Sequence, residues 1–210
     1  MIKRGAKFLK RNIKKHILGV SEENINAKEF RAKGVKFAGG LFINGKIYVE
    51  NKGSIIIGHT FQANSGVDFN TIGGDTILRL ITFTEEAKIV IGDNVGISNS
   101  TILAWNRIEI GNHVMIGGSV KIWDTNFHSL NPLIRTSGID NDVKTAPIKI
   151  DDYAFIGAGS IILKGVHIGK NAIIAAGSVV TKSIPANVLA GGNPCKVIKQ
   201  LELPLPDNML

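Results

Sequence analysis

Ile150, Ile156, Ile162, Ile168, Ile174 and Val180 follow one another at intervals of six, and a small or β-branched residue (Ala154, Ser160, Val166, Ala172, Ser178) stands four places after each of the first five. A fixed short period means that no unit buries its apolar face alone. Each must stack on its neighbours, which predicts a parallel β-helix. The same interval occurs upstream at Ile91, Ile97 and Leu103 and at Ile110, Ile116 and Ile122, with Val95, Thr101, Val114 and Val120 four places on. Gly92-Asp93, Gly111-Asn112 and Gly169-Lys170-Asn171 separate the runs, and Gly and Asn tolerate the positive φ of tight turns. Three such strands close one triangular coil of about 18 residues. Residues 35–72 beat more loosely (Leu41, Ile47, Ile55, Phe61, Val67), as terminal coils do, and an aromatic content of 6% suits a narrow prism filled by Ile and Val.

The 210 residues hold a single core-forming domain with no internal linker. Three segments are expected: a basic helical arm over 1–30, the β-helix over 31–192, and a C-terminal helix and tail over 193–210. One cysteine excludes a disulfide framework and points to a reducing compartment. No apolar stretch is long enough to span a membrane and no secretory signal opens the chain, so a cytoplasmic protein is expected.

The net charge of +8 is unevenly spread: Lys3, Arg4, Lys7, Lys10, Arg11, Lys14 and Lys15 supply seven of it, and no acid occurs among residues 1–20. The rest is nearly neutral, which argues against nucleic acid as a partner. Ile2, Ala6, Leu9, Ile13 and Ile17 recur at spacings of three or four, the pattern of an amphipathic helix with a basic face. Such an arm suits either a cap on the open end of the prism or peripheral contact with an anionic membrane surface, here the inner face.

The repeat breaks once. Ile122 and Ile150 are 28 residues apart, not a multiple of six, and no beat runs through 123–146. A segment of this length without regular structure (123–147) is looped out, and such segments usually carry function. It begins Trp123-Asp124-Thr125-Asn126-Phe127-His128.

Three blocks resemble known enzymes. They are Gly111-Asn112-His113-Val114-Met115-Ile116-Gly117 leading into Asp124-Thr125-Asn126-Phe127-His128-Ser129; Ile156-Gly157-Ala158-Gly159-Ser160; and Ala176-Gly177-Ser178-Val179-Val180-Thr181-Lys182-Ser183-Ile184-Pro185 through Gly191-Gly192-Asn193-Pro194-Cys195-Lys196-Val197-Ile198. Across about half the chain the sequence resembles the hexapeptide-repeat acyltransferases, in the branch of maltose, galactoside and polysaccharide O-acetyltransferases. The resemblance implies an all-β, left-handed β-helix, a homotrimer with active sites between subunits, and acetyl transfer from acetyl-CoA to a sugar or glycan acceptor. Handedness rests on the resemblance alone, since crossover connections ordinarily favour the right hand.

A thioester is already activated, so catalysis needs chiefly a base for the acceptor hydroxyl and stabilisation of the tetrahedral oxyanion. An imidazole, with an ordinary pKa of about 6.5, suits the first task, and such help is worth roughly 10² to 10⁴ in rate. His128 matches the family's catalytic histidine. Asn99 stands where sugar acetyltransferases bind the acceptor, and is otherwise a corner asparagine. Asp124 either holds the imidazole's tautomer or caps the loop, and Trp123 either stacks on a sugar or coenzyme or packs the loop.

For the coenzyme, the resemblance places Ala158 and Ala176 against the pantetheine arm, which lies on strands only where side chains are small. Thr181 and Lys182 match adjacent coenzyme-binding positions. Lys196 and Lys199 replace arginines common in relatives, and lysine meets a phosphate as a point charge instead of a fork. No metal is expected, because none of the five histidines forms the pair five apart of the zinc-dependent β-helix enzymes. Cys195 is a packing position. The expected function is O-acetylation of a sugar hydroxyl in capsule, O-antigen or exopolysaccharide synthesis. Alternatives are N-acetylation of an amino sugar nucleotide, O-acetylation of an antibiotic, and a non-catalytic trimeric scaffold.

Overall fold

The computed structural model describes residues 23–202. The basic stretch 1–20 and the last residues of the tail lie outside them. The chain winds as a three-faced prism of parallel strands. Face I stacks Lys88–Ile91, Arg107–Ile110, Ile148–Ile150 and His167–Ile168. Face II stacks Gly96–Ser98, Met115–Ile116, Phe155–Ile156, Ile173–Ile174 and Val188–Gly191. Face III stacks Ile47–Asn51, Leu78–Thr82, Thr101–Ala104, Lys121–Trp123, Ile161–Ile162 and Val179–Val180. The long strand Ser54–Asn64 rounds the corner between faces I and II and pairs with both.

The six-residue interval sets the interior. Ile150, Ile156, Ile162, Ile168, Ile174 and Val180 are all buried, as are Ala154, Ser160, Val166, Ala172 and Ser178 in the corners behind them. Burying one such aliphatic side chain contributes about 1.5–3 kcal/mol, and each also seats the next coil. Serine fits the corner because its hydroxyl is satisfied locally: the Oγ atoms of Ser160 and Ser178 both donate to the Ala175 carbonyl, at 3.1 and 2.6 Å.

Corners are made by left-handed residues in register. Asn94, His113, Tyr153, Asn171 and Asn187 turn from face I to face II, and Asn99, Ser119, Gly159 and Gly177 turn from face II to face III. Asparagine visits this region more readily than most side chains. Beside the first column runs a ladder: His59 N–H donates to Asp93 Oδ1 (2.6 Å), Asp93 N–H to Asn112 Oδ1 (2.8 Å), and Asn112 N–H to Asp152 Oδ1 (2.7 Å). The Gly-Asp and Gly-Asn pairs read as turns lie at these corners, but the positive φ falls one residue later, on Asn94 and His113; of the turn residues named from the sequence only Asn171 takes it.

Three expectations are corrected. The inward residue of Thr101–Ala104 is Ile102, not Leu103, because Ile102 pairs with Ile122 and Leu80, and strand alternation turns Leu103 outward. Val67 is exposed in a loop instead of entering a coil. Where a C-terminal helix was expected, the described residues Lys196–Gln200 form a strand antiparallel to Val188–Gly191, which supplies partners to what would be the sheet's last open edge. At the other end helix α1 (Glu23–Ala32) covers the first coil, with Phe30 fully buried and Asn26 Nδ2 donating to the Gly45 carbonyl at 3.1 Å. No described helix is long and apolar enough to cross a membrane.

The interruption is real: Ile122 pairs with Ile162, 40 residues on, whereas Ile162 pairs with Val180, 18 on. The extra residues leave the prism after Lys121–Trp123 and return at Ile148–Ile150, carrying the short helix α2 (Pro132–Arg135). Because Ile162 lies fully buried between two strata, Ile162→Ala should cost about 2–5 kcal/mol of unfolding free energy, read by urea denaturation. A loss under 1 kcal/mol would mean that the stack does not set the stability.

Candidate functional site

The looped-out segment is fastened at its root. Thr125 bridges Thr145, Asn126 N–H donates to the Lys144 carbonyl (3.0 Å), and Ala146 N–H to the Asp124 carbonyl (3.0 Å), so the two legs leave the prism together. Asp124 is fully buried, and its carboxylate accepts from the backbone N–H groups of Trp105 (2.7 Å), Asn106 (2.8 Å) and Arg107 (2.6 Å). Charge-assisted bonds of this kind are the strong ones. Asp124 therefore caps the turn of the preceding coil, the second of the two readings given for it, and a carboxylate so engaged neither holds the imidazole nor reaches an acceptor.

Phe127, with a left-handed φ of 61°, turns the chain outward just before His128, and its ring lies 6.1 Å from that of the half-buried Trp123. His128 is 69% exposed, and its Nδ1 lies 2.8 Å from Asp140 Oδ2. The second Asp140 oxygen accepts from Ser129 N–H at 2.8 Å. Ser129 is itself buried: its carbonyl accepts from Arg135 Nη1 (2.7 Å) and its Oγ from Asn131 N–H (3.0 Å). Next to it the Lys144 ammonium, hydrogen-bonded to Asp142 at 2.5 Å, holds that carboxyl below the usual carboxylate range. Among the described residues Nε2 of His128 has no hydrogen-bond partner. Asp140 is the residue that sequence reasoning missed. It lies 12 places from the histidine in a segment without periodicity, where nothing short of the folded loop selects it over Asp142.

Asn99 takes the second of its two readings, a corner asparagine with a left-handed φ of 41°. It is 1% exposed, its Oδ1 accepts from Gly66 N–H (2.6 Å), and its Nδ2 donates to the Asn70 carbonyl (3.1 Å). It pins the loop that follows Ser54–Asn64 to the prism and presents no amide to solvent.

Ala158 and Ala176 occupy the corner between faces II and III. There Gly118, Ala158, Gly159, Ala176 and Gly177 form a smooth ridge tied by Gly159 N–H to the Gly118 carbonyl and Gly177 N–H to the Ala158 carbonyl, both 2.8 Å. A Cβ on Gly157 would lie 2.5 Å from Ala176 N, so the strata touch backbone to backbone. The space over Gly177 is open. Lys196 begins the strand that closes this corner, and Lys199 follows it. Thr181 and Lys182, both exposed, continue face III into the opposite corner, two coils beyond Trp123 and Asp124. The fold thus divides the candidate residues between two corners. His128, Trp123, Thr181 and Lys182 belong to the corner between faces III and I, and Ala158, Ala176 and Lys196 to the corner between II and III.

Cys195 is buried, and burial pushes its thiol up, which suits a packing role. His113 stacks on Tyr153 (4.7 Å between centroids, 3° between planes) and His167 Nε2 lies 2.7 Å from Asp151 Oδ2; among the described residues no three potential ligands converge on a metal position.

Residues 147–182 match the family described as bacterial transferase hexapeptide (six repeats). The galactoside O-acetyltransferase of Lactococcus lactis subsp. lactis (strain IL1403) is 45% identical over 103 residues, 49% of this chain and 48% of that protein. SAV2555 of Staphylococcus aureus (strain Mu50), assigned to the acetyltransferases, is 38% identical over 139 residues, 56% of this chain and 68% of its own length. Among solved structures, a maltose O-acetyltransferase from Clostridium difficile 630 is 29% identical with a TM-score of 0.55, covering 88% of this chain and 79% of that one. The chain belongs to the hexapeptide-repeat acyltransferases, and its core is their left-handed parallel β-helix. It spans about half the length of the first curated relatives, 48% of the Lactococcus protein among them.

Because the Asp124 carboxylate serves three buried N–H groups, Asp124→Ala should lower stability by about 3 kcal/mol or more. Thermal or urea unfolding checks this, and an unchanged midpoint would show that the turn is held by other contacts.

Proposed function

We propose that this protein is an acetyl-CoA-dependent O-acetyltransferase acting on a sugar hydroxyl, in the assembly of a capsule, O-antigen or exopolysaccharide. The observation that carries the reading is His128 itself, an exposed imidazole at the root of the long segment looped out between Trp123 and Ile148, anchored through Nδ1 and open at Nε2. Relatives named for galactoside and maltose O-acetylation support a sugar as acceptor.

The ridge at Ala158, Gly159, Ala176 and Gly177 fits a pantetheine arm, since it offers backbone groups and nothing larger than a methyl. The coenzyme supplies an acyl carbon activated as a thioester. Lys182, Lys196 and Lys199 supply positive charge for its phosphates, and Thr181 a hydroxyl. His128 Nε2 takes the proton from the acceptor hydroxyl as its oxygen attacks the thioester carbonyl, and returns it to the sulfur when the tetrahedral adduct collapses. Trp123 and Phe127 offer aromatic surface beside the base for the sugar's apolar face.

A second subunit completes this site. Within one chain His128 and the ridge lie at different corners, separated by the width of face III, which at about 3.3 Å per residue is on the order of 15 Å or more. An acyl carbon held at the ridge is out of reach of the same chain's imidazole. A homotrimer that sets the III–I corner of one copy against the II–III corner of the next brings them together, and the scaffold alternative gives no reason for an anchored, open imidazole.

With acetyl-CoA and a panel of hydroxyl and amino sugars, free thiol should appear only with a hydroxyl acceptor. His128→Ala should lower kcat by roughly 10² to 10⁴ while coenzyme affinity stays nearly constant, because the imidazole acts on the acceptor's proton. Retention of more than a third of wild-type turnover would overturn the assignment of the base.

A further inference from the structure

We infer that the residues looped out between Asn64 and Leu78 close the acyl end of the coenzyme ridge and restrict the donor to acetyl and equally short acyl groups. For the ligand on the ridge this rests on the acetyltransferase reading; the closure itself is a property of the coils.

The prism is also interrupted ahead of the loop that carries His128. Ala63 pairs with Ile97, and Leu80 with Ile102, in the next coil. Ile97 and Ile102 are five residues apart, whereas Ala63 and Leu80 are 17 apart. The surplus leaves the coil between faces II and III, which is the corner of the ridge. The sequence gave no sign of it, because the first coils beat too loosely for a break to show.

This segment climbs the corner coil by coil. Ser65 Oγ accepts from Leu78 N–H at 2.9 Å, which ties its two ends together. One coil on, Asn99 accepts from Gly66 N–H and donates to the Asn70 carbonyl. The apex is Gly73: its N–H donates to Asn70 Oδ1 (2.7 Å), and its carbonyl accepts from Thr76 Oγ1 (2.7 Å) and, a further coil on, from Ser119 Oγ (2.8 Å). Contact here is backbone on backbone. A Cβ on Gly118 would lie 2.9 Å from both Gly73 Cα and Asn70 Oδ1, and a Cβ on the buried Gly73 would lie 2.4 Å from Asn99 Cβ. The open ridge therefore ends at Gly118.

Charge fixes which end of the ligand arrives there. Lys196 opens the strand paired with Val188–Gly191, at the far end of the ridge beyond Ala176 and Gly177. Phosphates held by Lys196 and Lys199 leave the pantetheine arm running over Ala176 and Ala158 toward Gly118, two coils on and thus roughly 10 Å away. Gly118 shares its coil with Lys121–Trp123, the strand from which the His128 loop departs, so thioester and base come to one level of the prism. The acyl group is what projects past the thioester, toward Asn70 and Gly73. A longer chain continues along the corner only if the loop lifts from Asn99, Gly118 and Ser119.

One methylene too many in a closed site costs roughly 10- to 200-fold in kcat/KM. Hexanoyl-CoA, four methylenes longer than acetyl-CoA, should therefore react at least about 10²-fold less well in wild type. Two variants open the stop. Ser119 stands at φ 58°, a conformation glycine adopts freely, so Ser119→Gly removes the hydroxyl that holds Gly73 without straining the coil. In the second, a Gly-Asn-Gly turn replaces residues 66–76 in the full chain. The loop replacement should lower the acetyl-to-hexanoyl ratio by about tenfold or more, through a gain on hexanoyl-CoA. Ser119→Gly should lower it by roughly 3- to 10-fold, the worth of one hydrogen bond.

The test measures thiol release from acetyl-, butyryl- and hexanoyl-CoA in the three proteins, together with calorimetric affinities for ketone analogues in which a methylene replaces the thioester sulfur. The analogues need no acceptor and should show the same order of chain lengths and variants. If the loop replacement does not fold, Ser119→Gly decides. Wild type that takes hexanoyl-CoA as readily as acetyl-CoA overturns the inference, and so do folded variants that keep the wild-type ratio. A rise in the acceptor's KM at an unchanged ratio assigns the loop to the acceptor and overturns it equally. Should no acceptor release thiol while the analogues bind in the stated order, the acetyltransferase reading fails and the stop stands.

Discussion

Every part of this structure depends on coils stacking in register. A coil of three short strands cannot bury its own apolar side chains or satisfy its own peptide groups; both are supplied by the coils above and below, at a spacing of about 4.8 Å. The buried column through Ile122, Ile162 and Val180 on face III is one expression of that rule, and the ladder from Asp93 through Asn112 to Asp152 is its polar counterpart. Because the register repeats, a residue's place in its hexapeptide fixes its corner or face. The corners of small residues, the polar edge and the root of the loop are all consequences of the same stacking.

A rigid prism also explains how a long loop can be functional. The segment that carries His128 has little apolar burial of its own, yet both of its legs are sewn to strands that cannot shift without breaking the stack. Asp124 is central here: it is buried, serves three backbone donors of the previous coil, and accepts the returning leg at its carbonyl. Rigidity is transmitted from the core to the loop through hydrogen bonds. A histidine so held is pre-organised, which general-base catalysis requires.

The prism was legible in the sequence wherever periodicity reports burial. The interval of six placed the inward residues from Ile150 to Val180, and the break after Ile122 located the looped-out segment. Legibility failed where a single pairing overrides the beat. At Leu103 the register belongs to Ile102, because its partners Leu80 and Ile122 hold it inward. At Lys196–Gln200, within the span expected as a C-terminal helix and tail, an edge requiring partners made a strand. The candidate site was half legible: His128 stood out by its place at the loop root, but the surroundings of Asn99, Asp124 and Asp140 are made by hydrogen bonds between residues 11 to 33 apart, which no local pattern encodes.

The two corners that divide the candidate residues make a shared active site the central claim, and subunit complementation tests it directly. Chains carrying His128→Ala are to be co-assembled with chains carrying Ala176→Trp, which blocks the ridge, and the mixed oligomers verified by native mass spectrometry. Each homo-oligomer should be nearly inactive. Random mixing should restore thiol release to about a quarter of wild type, since one site in four then takes an intact histidine from one copy and an intact ridge from its neighbour. Verified mixed oligomers with no activity above their parents would contradict a site shared between copies.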